Sequence, residues 1–362
     1  MALTSIATSS NYAPHPVNAI LEQVFLRRAQ QVCPYLIGSK PGQMQQNGGT
    51  ATIKWQRYAQ VTPTTTALTE VTTVAYGQGR SSETSTPTPV QATVAKYGQF
   101  MYVTEEVDLL SVSTEVKQLM DLLGESAGRS INMLMRNEME DNATQRFAGN
   151  VASTGLVHAI ITTGDLNYTI NELTRASARP FTPMSNGSTN IGTVPILPAY
   201  WAITHPDVAH DIAGLTGFTS VEKYAQQVAI VDGEFGLYSR AGRAVRFIMS
   251  EDSSIDADTG AALSGADLRS TSTSVADTYT VCLFGQDAFG SVGLGKQFGD
   301  GVYRAGDNTG GWMVINKPRG SGSAGDPLDE IATIGWKTWF VAKALNAAWS
   351  RAIRCAATNL AN

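Results

Sequence analysis

Three residues in one short run, His205, Asp207 and His210, carry side chains that could ligate a metal ion and activate a water molecule. Their spacing argues for something plainer. Histidines five apart do not share a helix face as an i, i+4 pair does, and Pro206 between them marks the opening of a helix. Capping and packing account for all three. A metal-dependent hydrolase built on them stands as an alternative reading. Glu138, Glu140 and Asp141 could supply a general acid and base. Carboxylates grouped along a helix more commonly form a solvated face.

Nucleotide and acyl-transfer chemistry lack their motifs. There is no G-x-x-x-x-G-K loop, and the run Gly293-Leu-Gly-Lys-Gln-Phe-Gly299 has the wrong spacing for a dinucleotide fingerprint, so Lys296 reads as part of a turn. No G-x-S-x-G elbow occurs, and Gly320-Ser-Gly-Ser323 has linker composition. Aromatic residues are not interleaved with basic ones as a single-strand platform requires. No catalytic site, cofactor or metal follows from the sequence. Such a chain suits burying surface against copies of itself.

Composition points the same way. Of 362 residues, 43% are hydrophobic but only 16% charged, against roughly 25% in ordinary globular domains. Small polar residues fill the difference, as in a protein whose exterior is covered by neighbours. Net charge is −5, with no basic footprint for tight nucleic-acid binding. Residues 1–100 hold seven basic and three acidic side chains, a balance of +4, so residues 101–362 carry −9 (−5 less +4). That asymmetry would let the first third of one copy clamp onto the acidic body of the next. Cys33, Cys282 and Cys355 are distant and odd in number, which points to a reduced, cytoplasmic setting without a disulfide framework. No apolar run is long enough for a membrane-spanning helix.

The elements that carry these residues follow from periodicity. Residues 1–15 read as an extended arm. Pro16 opens a short amphipathic helix, with Val17, Ile20, Leu21, Val24 and Phe25 on one stripe and Arg27 and Arg28 behind it. From Thr50 to Val103 the chain reads as a long hairpin. Its first strand alternates Ile53, Trp55 and Arg57 against Thr52, Lys54 and Gln56, and its second runs from Gln91 to Thr104. The Thr-rich tip between them holds Glu70 and Arg80. So little apolar surface cannot stabilise a lone hairpin, which must lie across another molecule.

A helix of about 35 residues is expected over about 113–147, capped by Ser113, with Val116, Leu119, Leu123, Ala127, Ile131, Leu134 and Met135 as its stripe. Gly124 and Gly128 give it a small-residue face for close backbone approach. A short strand near Leu156–Thr163 and a helix near Thr169–Arg179 come next. The Pro/Gly/Ser/Asn run Pro180–Thr193 reads as a domain boundary. Pro195–Thr204 reads as a buried strand, and 217–310 as many short strands around a low-complexity loop, Ser250–Asp277. The final segment, Ile331–Ala356, fits either a helix or a hairpin turning at Leu345-Asn346.

This order of parts resembles the tailed-phage capsid fold of the HK-ninety-seven type. Local runs are similar to the N-four-type major capsid protein family. They are Ile53-Lys-Trp-Gln-Arg-Tyr58 with Thr66-Ala-Leu-Thr-Glu70, Ala92-Thr-Val-Ala-Lys-Tyr-Gly-Gln-Phe100, Leu122-Leu-Gly-Glu-Ser-Ala-Gly128, His205-Pro-Asp-Val-Ala-His-Asp-Ile212, Val231-Asp-Gly-Glu-Phe-Gly236, and Asp326-Pro-Leu328 with Gly335-Trp-Lys-Thr338. The loop Ser250–Asp277 has no counterpart in that pattern.

The resemblance implies an α+β, HK-ninety-seven-like fold. Its parts would be an N-terminal arm (1–48), an E-loop hairpin (49–104), a peripheral domain with a spine helix (105–193), an axial domain (194–325) and a return to the peripheral domain (326–362). It favours the hairpin for Ile331–Ala356, beside the spine helix. It implies a major capsid protein of a virion, assembled in a bacterial cytoplasm into hexamers and pentamers of an icosahedral shell. Portal, scaffolding and decoration proteins would be partners, and packaged double-stranded DNA would be touched only weakly. Expected intersubunit contacts are Val17, Ile20, Leu21, Val24, Phe25, Arg27, Arg28, Lys54, Arg57, Glu70 and Arg80. An encapsulin-like bacterial compartment is the alternative within the same fold.

Overall fold

In the computed structural model the described residues are 33–42, 51–58, 61, 63, 65, 87–105, 115–181, 198–223, 233–240, 243–263, 267–293, 295–296, 303–304, 312–317 and 330–360. They form β1 (Lys40–Pro41), β2 (Thr52–Tyr58), β3 (Pro87–Thr93), β4 (Ala95–Thr104), α1 (Glu115–Asn142), β5 (Thr144–Phe147), α2 (Thr163–Arg175) and β6 (Ala199–Thr204). Then come α3 (Pro206–Ala213), β7 (Phe218–Ser220), β8 (Glu234–Arg240), β9 (Arg243–Met249), β10 (Ile255–Asp256) and β11 (Thr278–Phe284). The last are β12 (Phe289–Gly293), β13 (Gly295–Lys296), β14 (Tyr303–Arg304), β15 (Trp312–Lys317), β16 (Ile331–Ala344) and β17 (Ser350–Cys355).

Two sheets share one long helix. The smaller runs β1-β12-β16-β15, with β4 also paired to β16. The larger runs β5-β17-β11-β6-β9-β8-β7, with β10 on β11. Met120, Leu123, Ala127 and Ile131 of α1 pack on Ile334, Trp336 and Phe340 of the small sheet. One turn further, Met135 and Met139 pack on Ile203, Ile248 and Phe284 of the large sheet. Burying each large apolar side chain is worth roughly 1.5–3 kcal/mol, so this stripe outweighs the cost of the two interior glycines. On the other face of the large sheet, Leu166, Ile170 and Leu173 of α2 and Val208 and Ile212 of α3 cover Tyr200, Phe247 and Leu283.

Several expectations shift. Ser113 and Val116's side chain lie outside the described residues, and α1 ends at Asn142, not near Phe147. Thr144–Phe147 instead pairs parallel with Arg351–Arg354, so a tertiary ladder overrides helical periodicity. The second helix begins at Thr163, not Thr169. A capping box sets that start: Thr162 Oγ1 accepts from Asp165 N at 3.3 Å, and Thr162 N donates to Asp165 Oδ2 at 3.3 Å. Leu156–Thr163 forms no strand: it begins at the end of a 3-10 turn (Thr154–Leu156), makes one isolated bridge, Ile160 to Ala356, and ends at the first residue of α2.

The expected return strand Gln91–Thr104 divides at Val94. Residues up to Thr93 pair with β2, and those from Ala95 pair with β16. Ile331–Ala356 is neither a helix nor a hairpin. Its two strands join different sheets, β16 the small one and β17 the large one. The large sheet therefore takes strands from outside 194–325 on both sides. Pro195–Thr204 is buried as expected over Ala199–Thr204, and His205-Pro206 opens α3. Most of the Pro180–Thr193 run lies outside the described residues.

Candidate assembly surface

Of the expected contact residues, only Lys54 and Arg57 fall among the described ones. Val17, Ile20, Leu21, Val24, Phe25, Arg27, Arg28, Glu70 and Arg80 lie outside them. Lys54 is exposed on β2, opposite Gln91. Arg57 sits on the other face, where Nη1 donates to Asn346 Oδ1 at 3.0 Å. The ribbon of β2 and β3 is rooted in its own subunit. Ile53 and Val94 are buried with Val292, and Trp55, Trp339 and Val341 pack around them. The expectation that the whole hairpin depends on another molecule is thus corrected at its base: the apolar face of β2 finds its partners on β12 and β16. The tip lies outside the described residues.

The small-residue face of α1 is also used within the chain. Cys33 Sγ donates to Gly128 O at 3.3 Å, and Tyr35 N donates to Asn132 Oδ1 at 3.0 Å. Next to this contact, Asp252 gathers the helix onto the turn after β9. Its Oδ1 accepts from Arg129 Nε at 2.8 Å, its Oδ2 from Asn132 Nδ2 at 2.9 Å, and its carbonyl from Arg136. Tyr35 and Ser253 hydroxyls share a hydrogen bond of 2.8 Å. The low-complexity loop Ser250–Asp277 is therefore built into the fold along much of its length. Asp277 Oδ1 accepts from the backbone N–H groups of Asp258 and Thr271.

The acids of α1 differ from the expected solvated face. Of Glu138, Glu140 and Asp141, only Asp141 is exposed. Glu138 Oε1 accepts from Lys343 Nζ and from Ala344 N, each at 3.0 Å. Glu140 is 7% exposed, with Ser254 Oγ at 2.8 Å from Oε1. Burial pushes the Glu140 carboxyl above its ordinary range, against the opposing pull of the Ser254 hydrogen bond and of Arg354 and Arg136. The folded chain therefore holds this proton at pH values where unfolded Glu has lost it, and stability falls as pH rises through that window. Glu140→Gln should gain stability over the native chain progressively as pH rises from about 4.5, then level off. Urea midpoints across the range check this, and a difference independent of pH would refute it.

His205 and Asp207 lie together, with Nδ1 3.3 Å from Oδ2, but they form no three-residue ligand group with His210. His205 is the N-cap of α3, with Nδ1 accepting from Asp207 N at 3.1 Å. Asp207 Oδ1 pairs with Arg269 Nη1 at 2.9 Å, and Oδ2 accepts from the Tyr279 hydroxyl at 3.0 Å. Burial lowers the pKa of His205, consistent with a neutral capping ring. Among the described residues no group of three His, Cys, Asp or Glu side chains is placed to hold a metal ion. Burial also raises all three thiols, Cys33, Cys282 and Cys355, away from the reactive thiolate.

Periodicity drew no attention to the outer face of the small sheet. Tyr97, Met101 and Val103 of β4 point to α1, leaving Phe100 and Tyr102 outward, 60% and 63% exposed, with rings edge to face at 5.1 Å. A strand apolar on both faces was the available signal.

The arrangement is two sheets on one long helix with a rooted ribbon. No protein-family model matches the chain, and no curated protein matches it. Solved structures do. The capsid of Ralstonia phage GP4 superposes with TM-score 0.57 at 9% identity, covering 91% of this chain and 89% of that one. The cyanophage Pam1 capsid gives 0.53 at 13%, covering 99% and 100%. The head of Helicobacter pylori bacteriophage KHP40 gives 0.52 at 9%, covering 88% and 87%. The chain has the fold of phage capsid subunits.

Proposed function

We propose that this chain is a major capsid protein, a structural subunit that closes into a shell with copies of itself. The observation that carries the reading is the end-to-end likeness to the Pam1 capsid subunit, 99% of one chain on 100% of the other. The ribbon rooted on Trp339 and Val341 serves as the E-loop, α1 as the spine helix, and the two sheets as the cores of peripheral and axial domains. Arm and ribbon tip overlap neighbouring subunits in hexamers and pentamers around packaged DNA, inside a virion built in the host cytoplasm. Portal, scaffolding and decoration proteins join the same shell. The buried thiols and the occupied Asp207 fit a scaffold without catalysis.

Electron microscopy of the purified, expressed chain tests this. Closed shells of uniform diameter are the expected result. Monomers or small open oligomers at every concentration and salt tried would overturn it.

A further inference from the structure

On the outer face of the small sheet three strands lie side by side in register. Phe100 of β4 pairs with Gly335 of β16, which pairs with Ile315 of β15. A glycine at the centre of that row leaves a hollow between an aromatic wall and an aliphatic one. The next row, Tyr102, Thr333 and Lys317, closes one end. The result is a trough of about 330 Å³ with a glycine floor. The floor needs glycine: a Cβ at Gly335 would lie 2.8 Å from Phe100 Cβ. On the same face, the root of the ribbon covers the neighbouring rows over Trp339 and Val341, and the trough is the stretch it leaves open.

Charge selects the occupant. Lys96, Lys317 and Lys337 alternate onto this face, on the residues flanking the trough. Among the described residues none of the three has a carboxylate within ion-pair distance. A face with three ammonium groups that no described carboxylate neutralises, set around exposed apolar side chains, fits a segment that brings carboxylates and an apolar side chain together. The −9 balance of residues 101–362 makes another copy of this chain such a partner. Single-stranded nucleic acid fits less well, because Phe100 and Tyr102 pack edge to face with each other and base stacking needs free ring faces.

We propose that this trough seats a carboxylate-bearing segment of a second copy of the chain, with Phe100 and Ile315 gripping its apolar side chain and Lys317 and Lys337 its charge. The proposal rests on the shell reading and assigns one of its contacts.

The experiment places a photo-crosslinking benzoylphenylalanine at Phe100 and assembles an equal mixture of light and isotope-labelled chains. Expected are crosslinks joining light to heavy peptides, with the captured peptide containing Asp or Glu. In parallel, Lys317→Glu with Lys337→Glu, both on the surface, should lower particle yield at least roughly tenfold at low salt, since like charges across a contact oppose it, with recovery as salt screens them. Closed particles whose crosslinks stay within one chain, or go to nucleic acid, overturn this proposal and leave the shell reading standing. A chain that never assembles overturns both.

Discussion

Glu234→Ala should cost the folded chain about 3–5 kcal/mol, the range for removing one partner of a buried ion pair. Glu234 Oε1 lies 2.6 Å from Arg246 Nη1, with side chains 0% and 4% exposed. The two sit on adjacent antiparallel strands, β8 and β9, where the register slips between Glu234 and Gly236. That bulge and the positive φ of Gly233, 77°, swing the carboxylate onto the arginine. Arg246 Nε is already buried without an acceptor, so deleting Glu234 leaves a buried cation with its main counter-charge gone. The expected signature is a fall in melting temperature on the order of 10 °C. Glu234→Gln, which keeps an oxygen acceptor, should lose less. A loss below about 1 kcal/mol for the Ala variant, as exposed pairs give, would show that the arginine finds water or another acceptor.

The second large effect is expected at Asp252. Asp252→Ala removes the acceptor for Arg129 and Asn132 together. Arg129 is half exposed and can turn to water, so the cost is smaller than at Glu234, about 2–4 kcal/mol. The location of the damage matters more than its size. Asp252 ties the middle of α1 to the turn after β9, and Asn132 passes the link to Tyr35. Loss of the carboxylate should loosen three sequence-distant segments at once: 33–36, 129–136 and 250–254. Hydrogen exchange is the measurement. Faster exchange in all three, with β4 and β16 unchanged, is expected. Uniform acceleration across the small sheet as well would mean that Asp252 merely supports global stability and does not join those segments locally.

Much of the element order was legible in the sequence because it depends on local periodicity. The stripe Leu123, Ala127, Ile131 and Met135 does face a core, the strand before His205 is buried, and the alternation of Ile53 and Trp55 does mark the inner face of the ribbon. The misplacements came where a distant partner outbid local preference. Thr144–Phe147 left the helix to pair with β17, and Gln91–Thr104 broke at Val94 to serve two different partners. The candidate site was less legible. Lys54 and Arg57 carried a readable charge pattern, whereas the trough depends on Gly335 standing between Phe100 and Ile315 across three strands, a register set by pairing over more than 200 residues.

By itself, then, the sequence determined the amphipathic stripes, the helix start at Pro206, the capping role of His205 and the absence of a recognisable catalytic motif, because each rests on residues within a turn or two of one another. Only the tertiary structure decided which sheet each half of Ile331–Ala356 joins, that Asp252 and Glu234 are buried hubs, and which part of the small sheet no described residue covers. These depend on contacts between residues far apart in the chain, where the free energy of burial and of satisfied charge is settled by the whole packing and not by any local run.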